Sequence, residues 1–130
     1  MFCRADGELN HNVMLKQAFR YLGNTFLAQP PGRLYVLNDT DLEIIQTPGH
    51  TPQDTTLIVR NVPQMGTVAI AGDLFYFQDD YLQPELRQNF PDPAQYEASR
   101  KLVACQVDFI IPGHGPMFSV SSVIKQAFTC

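Results

Sequence analysis

Short apolar runs broken by turn formers dominate the middle of the chain. Leu34-Tyr35-Val36-Leu37 ends at Asn38-Asp39, and Leu42-Glu43-Ile44-Ile45-Gln46 runs into Pro48-Gly49-His50. Thr55 to Arg60 ends at Asn61-Val62-Pro63, and Thr67 to Ala71 ends at Gly72-Asp73. These runs are rich in β-branched residues and recur every 8–12 residues or so, roughly the spacing of short strands. The pattern changes after Asp73. Phe75 to Tyr81 reads as an aromatic loop. Pro93 to Ala104 reads as a helix: Asp92 can cap it, Pro93 suits its first position, and Tyr96, Leu102 and Val103 can share a buried face. Val107 to Ile111 is a last buried strand that runs into Pro112-Gly113-His114-Gly115-Pro116. Upstream, Val13 to Leu22 is weakly amphipathic and reads as a short helix, stopped by Gly23-Asn24, with a firm turn at Gln29-Pro30-Pro31-Gly32. Strands, then a helix, then a strand suit an α+β layered fold, a sheet covered by helices on one side.

Length and composition narrow the function classes. The chain has 130 residues, enough for a single domain over 1–130 with a real core. The formal net charge is -4, and no basic run is present, so binding of nucleic acid by bulk charge is not expected. A metal-centred nuclease remains open, because bound cations would supply local positive charge. Cys3, Cys105 and Cys130 are odd in number and form no C-x-x-C pair, which reads as free thiols in a reducing compartment. Met1 to Asp6 has no long apolar stretch, so no secretory leader is expected. No apolar run approaches the roughly 20 residues of a membrane span. The expected location is the cytoplasm, with the nucleus as an addition.

The candidate chemistry lies at the strand ends. Of three histidines, His50 and His114 sit in matching Pro-Gly-His turns, each after its own apolar run, and Asp73 follows a third. Taken singly, each has a plain reading: a surface turn histidine, or an aspartate that caps a turn. Taken together, His, Asp and His at three strand ends are what a metal site on a β-scaffold needs, and imidazole and carboxylate suit zinc. Asp73 is placed to bridge, with His50 and His114 on either side of it. Three ligands would leave two ions under-coordinated, and no other cluster of ligand spacing is visible. His11, in Asn10-His11-Asn12, reads as a solvated loop residue.

Thr47-Pro48-Gly49-His50-Thr51, Ala71-Gly72-Asp73 and Pro112-Gly113-His114-Gly115 resemble the later metal-binding motifs of the metallo-β-lactamase fold superfamily, in its order and spacing. The resemblance implies an αββα sandwich, here only its C-terminal half: one mostly antiparallel sheet with flanking helices. It implies His50 on a first metal, His114 on a second and Asp73 between them, with two Zn2+ per full-length domain and an incomplete site in this chain. The family's first motif, His-x-His-x-Asp-His, is absent, so a C-terminal portion of a longer protein is expected. The region through about Gly32 should then be the least ordered, and Phe19, Leu22 and Phe26 should line an exposed apolar surface. The stretch Thr47 to Phe118 also resembles a superfamily member associated with cleavage of RNA phosphodiester bonds in histone pre-mRNA processing. The implied activity is a zinc-dependent endoribonuclease. A thioester hydrolase of the glyoxalase II type is the alternative, and an inactive truncated form or binding module is the third. RNA and a second copy of the chain are the partners this allows.

Overall fold

The structure is a computed structural model and describes residues 35–36 and 41–130. The expected Val13–Leu22 helix, the Gln29–Gly32 turn, Cys3, His11, and the apolar residues Phe19, Leu22 and Phe26 lie outside the described residues.

Among the described residues six strands form one sheet in chain order: β1 (Tyr35–Val36), β2 (Leu42–Gln46), β3 (Thr55–Val62), β4 (Gly66–Gly72), β5 (Phe109–Pro112) and β6 (Phe118–Ser119). Neighbouring strands are antiparallel except β4 and β5, which run parallel. A parallel pair needs a long crossover, and helix α1 (Pro93–Ala104) lies within it. A shorter helix, α2 (Ser122–Ala127), follows β6. The mostly antiparallel sheet with flanking helices is therefore as expected, and β2 and α1 have the boundaries the sequence predicts. The strand β6 and helix α2 have no counterpart in that reading.

Alternation along the strands sorts their side chains onto two faces. Ile58, Ala69 and Ile110 share a register row and are buried. They join Ile45, Ala71 and Phe118 in a core closed by Tyr96, Val103 and Ala104 of α1 and by Ile124 and Phe128. The row one residue over, Leu57, Ile70 and Ile111, lies on the opposite face, where Ile70 and Ile111 stand exposed.

Helix α1 begins as its sequence predicts. The Asp92 carboxylate accepts the Gln95 amide at 2.9 Å, and Pro93 occupies the first turn. Its buried residues are Tyr96, Ser99, Arg100, Val103 and Ala104, at helical spacing. Leu102 is exposed and not part of that face, because six residues on from Tyr96 the helix has turned it outward. A buried arginine takes the expected apolar place. Arg100 pairs with Asp80, and both are almost fully enclosed. The Arg100 guanidinium lies 4.8 Å from the Phe75 ring, 5.2 Å from Phe128 and 5.3 Å from Tyr96. The second Asp80 oxygen accepts the Tyr76 amide at 2.7 Å. Burial raises the Asp80 carboxyl above its ordinary range, opposed by the Arg100 charge and by the amide bonds it accepts.

The cysteine reading is corrected. Cys105 and Cys130 form a disulfide, with Cα atoms 5.3 Å apart. Cys105 caps the end of α1, and the turn after α2 brings the last residue back to it, within bonding reach. Counting cysteines cannot reveal a juxtaposition made by two helix ends.

The buried pair yields a stability prediction. Arg100→Met leaves Asp80 buried without its partner and should lower unfolding free energy by about 3 kcal/mol or more. Adding Asp80→Asn should recover much of that loss, since the amide oxygen can still accept from Tyr76. Urea denaturation of the single and double variants checks this; equal losses would contradict the pairing.

Candidate metal centre

The Thr47–His50 turn is built to hold one imidazole. Thr47 is buried, and its hydroxyl bonds that of Thr56 at 2.9 Å, which ties the end of β2 to β3. Gly49 has φ +144° and lies so close to Tyr96 that a Cβ would collide with the α1 backbone. Glycine is required there on both counts. Helix α1 grips the turn from the same side, with the Ser99 hydroxyl donating to the Pro48 carbonyl at 2.7 Å. His50 then projects past the strand end, half-buried. Its Nδ1 lies 3.5 Å from Asp54 Oδ2, and its Nε2 lies 3.7 Å from Asp73 Oδ2. Asp54 is itself clamped: the Thr51 amide donates to Oδ2 at 2.6 Å and the Thr51 hydroxyl to Oδ1.

Asp73 follows Gly72, whose φ of +53° turns the chain off β4. On its far side, His114 Nε2 lies 3.1 Å from Asp73 Oδ1. Gly113 makes this approach possible, because a Cβ there would overlap the Asp73 carboxylate. The loop after Asp73 is zipped to the second Pro-Gly-His turn: Gly113 N–H donates to Phe75 O at 2.9 Å and His114 N–H to Tyr76 O at 3.0 Å. The Tyr96 hydroxyl donates to the Asp73 carbonyl at 3.2 Å. The structure thus brings all three sequence-derived candidates to one edge, each imidazole on its own oxygen of the central carboxylate.

Aromatic rings wall this edge. Tyr76 tilts over His114 with centroids 5.2 Å apart, and Phe90 sets its edge against His50 at 5.3 Å. Burial, then the charges of Asp73, Asp54 and Asp80, hold the Tyr76 phenol above its usual range. Sequence reasoning missed Asp54, although its place four residues after His50 in the same turn was a usable signal. It also missed Tyr76, Phe90 and Ser99, whose roles depend on the fold. A separate surface pocket of about 470 Å³ is lined by Pro84, Arg87, Gln88, Pro93 and Glu97, and by none of the three candidates.

A zinc ion fixes the spacing of the donors around it. Two donors about 2 Å from one ion at a tetrahedral angle stand about 3.3 Å apart. The two N···O separations, 3.1 and 3.7 Å, bracket that value. Among the described residues, however, no three His, Cys, Asp or Glu groups are arranged to hold one ion together. The donors fit as two half-sites that share a carboxylate, each short of protein ligands.

No family model matches the chain. It is 41% identical over 101 residues to metallo-beta-lactamase domain-containing protein 1 of Xenopus laevis, covering 77% of this chain and 41% of that protein. Against the Homo sapiens protein of the same name it is 40% identical over 88 residues, covering 68% and 32%. An uncharacterized Caenorhabditis elegans protein is 38% identical over 92 residues, covering 69% of this chain and 25% of its own length. The chain therefore spans well under half of the curated relatives it matches, which fits the expected C-terminal portion. An N-acyl homoserine lactone hydrolase, with product bound at its catalytic metal centre, superposes with TM-score 0.50 at 24% identity, covering 75% of this chain and 36% of that one. A putative metallo-beta-lactamase of Thermotoga maritima gives TM-score 0.50 at 18% identity, covering 65% and 39%. The chain has part of the metallo-β-lactamase fold, and the resemblance carried by its motifs holds.

The two glycines at the turns are the sharpest test of the geometry. Gly49→Ala forces a strained φ and a clash with α1, and should destabilise the fold by about 2 kcal/mol or more in chemical denaturation. Gly113→Ala should push the Asp73 carboxylate away from His114. A His114 ring-proton shift identical to that of the Asp73→Ala variant, in NMR, is the expected result.

Proposed function

We propose that His50, Asp73 and His114 are one side of a two-zinc hydrolytic centre, and that the protein to which this domain contributes cleaves RNA phosphodiester bonds. The observation that supports this most is the pairing of two imidazoles with opposite oxygens of one carboxylate. Zinc bound there would act as a Lewis acid toward the scissile group. The chain's own residues set the geometry. Asp73 holds the two half-sites at a fixed separation. Asp54 orients the His50 ring by facing Nδ1, which leaves Nε2 for the site. Gly113 lets the second turn close on Asp73, Tyr76 packs against one side of the largely exposed His114 ring, and Phe90 packs against half-buried His50. The RNA substrate rests on the resemblance of Thr47 to Phe118 to a member associated with histone pre-mRNA cleavage. An RNA-cleaving protein of this kind would work in the nucleus or the cytoplasm.

Hydrolysis of a small ester or thioester is the second reading. It is favoured by the net charge of -4 and by the lactone-hydrolase likeness in fold. Both readings use the same ligands, so substrate choice lies in surrounding loops. For the isolated chain we propose weak zinc binding and little turnover, because two donors per ion fall short of the three protein ligands of a catalytic zinc.

Metal analysis tests the reading. The purified chain should hold zinc substoichiometrically, and Asp73→Ala should abolish what it holds. Asp54→Asn should weaken binding by about tenfold, through loss of ring orientation. When an upstream His-x-His-x-Asp-His segment is joined in frame, zinc should rise to two per chain. RNA cleavage should then appear without comparable thioester hydrolysis. Two tightly held ions in the chain alone, unaffected by Asp73→Ala, would overturn the proposal.

A further inference from the structure

The disulfide closes a loop over residues 105–130 that contains β5, His114, β6 and α2. Its far end reaches the candidate centre by a short relay. Phe128, two residues before Cys130, is buried against Phe75 at 6.0 Å and Tyr81 at 6.1 Å, and covers the Arg100 guanidinium at 5.2 Å. Arg100 holds Asp80, Asp80 holds the Tyr76 amide, and the Phe75 and Tyr76 carbonyls hold Gly113 and His114. The last turn is otherwise tied by its own backbone bonds, from the Phe128, Thr129 and Cys130 amides to Ile124, Gln126 and Lys125 carbonyls, all local to α2 and the turn after it. Helix α2 has six residues, too few to be stable by itself. Lys101 Nζ donates to Thr129 Oγ1 at 2.9 Å, but on the surface. Cys130 is an exposed residue and Cys105 is half-buried.

We propose that Cys105–Cys130 is a reversible redox modification site whose state sets how firmly the Asp73–Phe77 loop is held against the Pro112–Gly115 turn. A dithiol reductant attacks the Cys130 sulfur and releases Cys105 as a thiol. Its second thiol then displaces Cys130, so the protein gains two thiols and two protons while the reductant becomes a disulfide. With the bond open, the last turn frays and Phe128 leaves its place over Arg100. Water reaches the Arg100–Asp80 pair, and Asp80 loosens its grip on Tyr76. This coupling stands whether or not the three-residue cluster holds metal.

Amide hydrogen exchange on the full chain, oxidised with glutathione disulfide or reduced with dithiothreitol, tests it. Reduction should raise exchange at Tyr76, Gly113 and His114 by about tenfold, while amides shared by β2 and β3 keep their protection. The Cys105→Ser/Cys130→Ser double variant should match the reduced protein without reductant. Phe128→Ala with the bond intact should give the same rise, and reduction should add little to it. Unchanged exchange at those three amides, an equal rise over the whole sheet, or free thiols at both cysteines after oxidation would overturn the proposal.

Discussion

Arg100 and Asp80 are 1% and 2% exposed, and enclosing two opposite charges so fully constrains everything around them. Removing such groups from water costs several kcal/mol per ion, and the arrangement persists only where pairing and hydrogen bonds are close. The guanidinium meets this need with one carboxylate oxygen and three ring faces, although its Nε finds no partner among the described residues. Asp80 meets it with Arg100 and backbone amides of its own loop. The pair therefore adds little net stability over an apolar substitute, but it admits few alternatives. It requires α1, the loop after β4 and the C-terminal ring of Phe128 in one arrangement. That arrangement sets the loop carbonyls where Gly113 and His114 bond them, and so sets Asp73 against His114.

The same economy governs the two Pro-Gly-His turns, where glycine serves two different purposes. At Gly49 the helix backbone presses on the turn, and the positive φ swings His50 outward. At Gly113 the neighbour is the Asp73 carboxylate, so glycine there makes room for a functional group rather than for packing. A repeated tripeptide thus marks two unlike contacts that converge on one residue.

How legible this was depends on the range of the forces involved. Strand β2 and helix α1 could be read from local pattern, because alternation and an Asp-Pro start are local properties. Strand β3 runs two residues past its expected end, since Asn61 and Val62 enter a bulged pairing with β4 despite the turn-forming composition. Strand β6 is two residues long and exists through its pairing with β5, which no local pattern announces. Leu102 was placed inward by its hydrophobicity, while the buried place went to an arginine whose partner lies twenty residues away. The disulfide was invisible for the same reason. That His50, Asp73 and His114 share one edge could be read in advance, because each follows its own strand and the sheet brings those strand ends together. The parts of Asp54, Tyr76 and Phe90 could not be, because they are defined by what they touch.

Arithmetic on the donors connects the geometry to the proposed chemistry. On the proposed reading each half-site has one imidazole and one oxygen of a shared carboxylate, fewer than the three protein ligands of a catalytic zinc. His114 Nε2 stands 3.1 Å from Asp73 Oδ1, while His50 Nε2, at 3.7 Å from Oδ2, is beyond direct hydrogen-bond reach. The Asp54 clamp, the zipped loop and the two glycine turns hold the three side chains in this arrangement. On the proposed reading, further donors would meet a surface that is already ordered, and the affinity they add would not be spent on rearranging it.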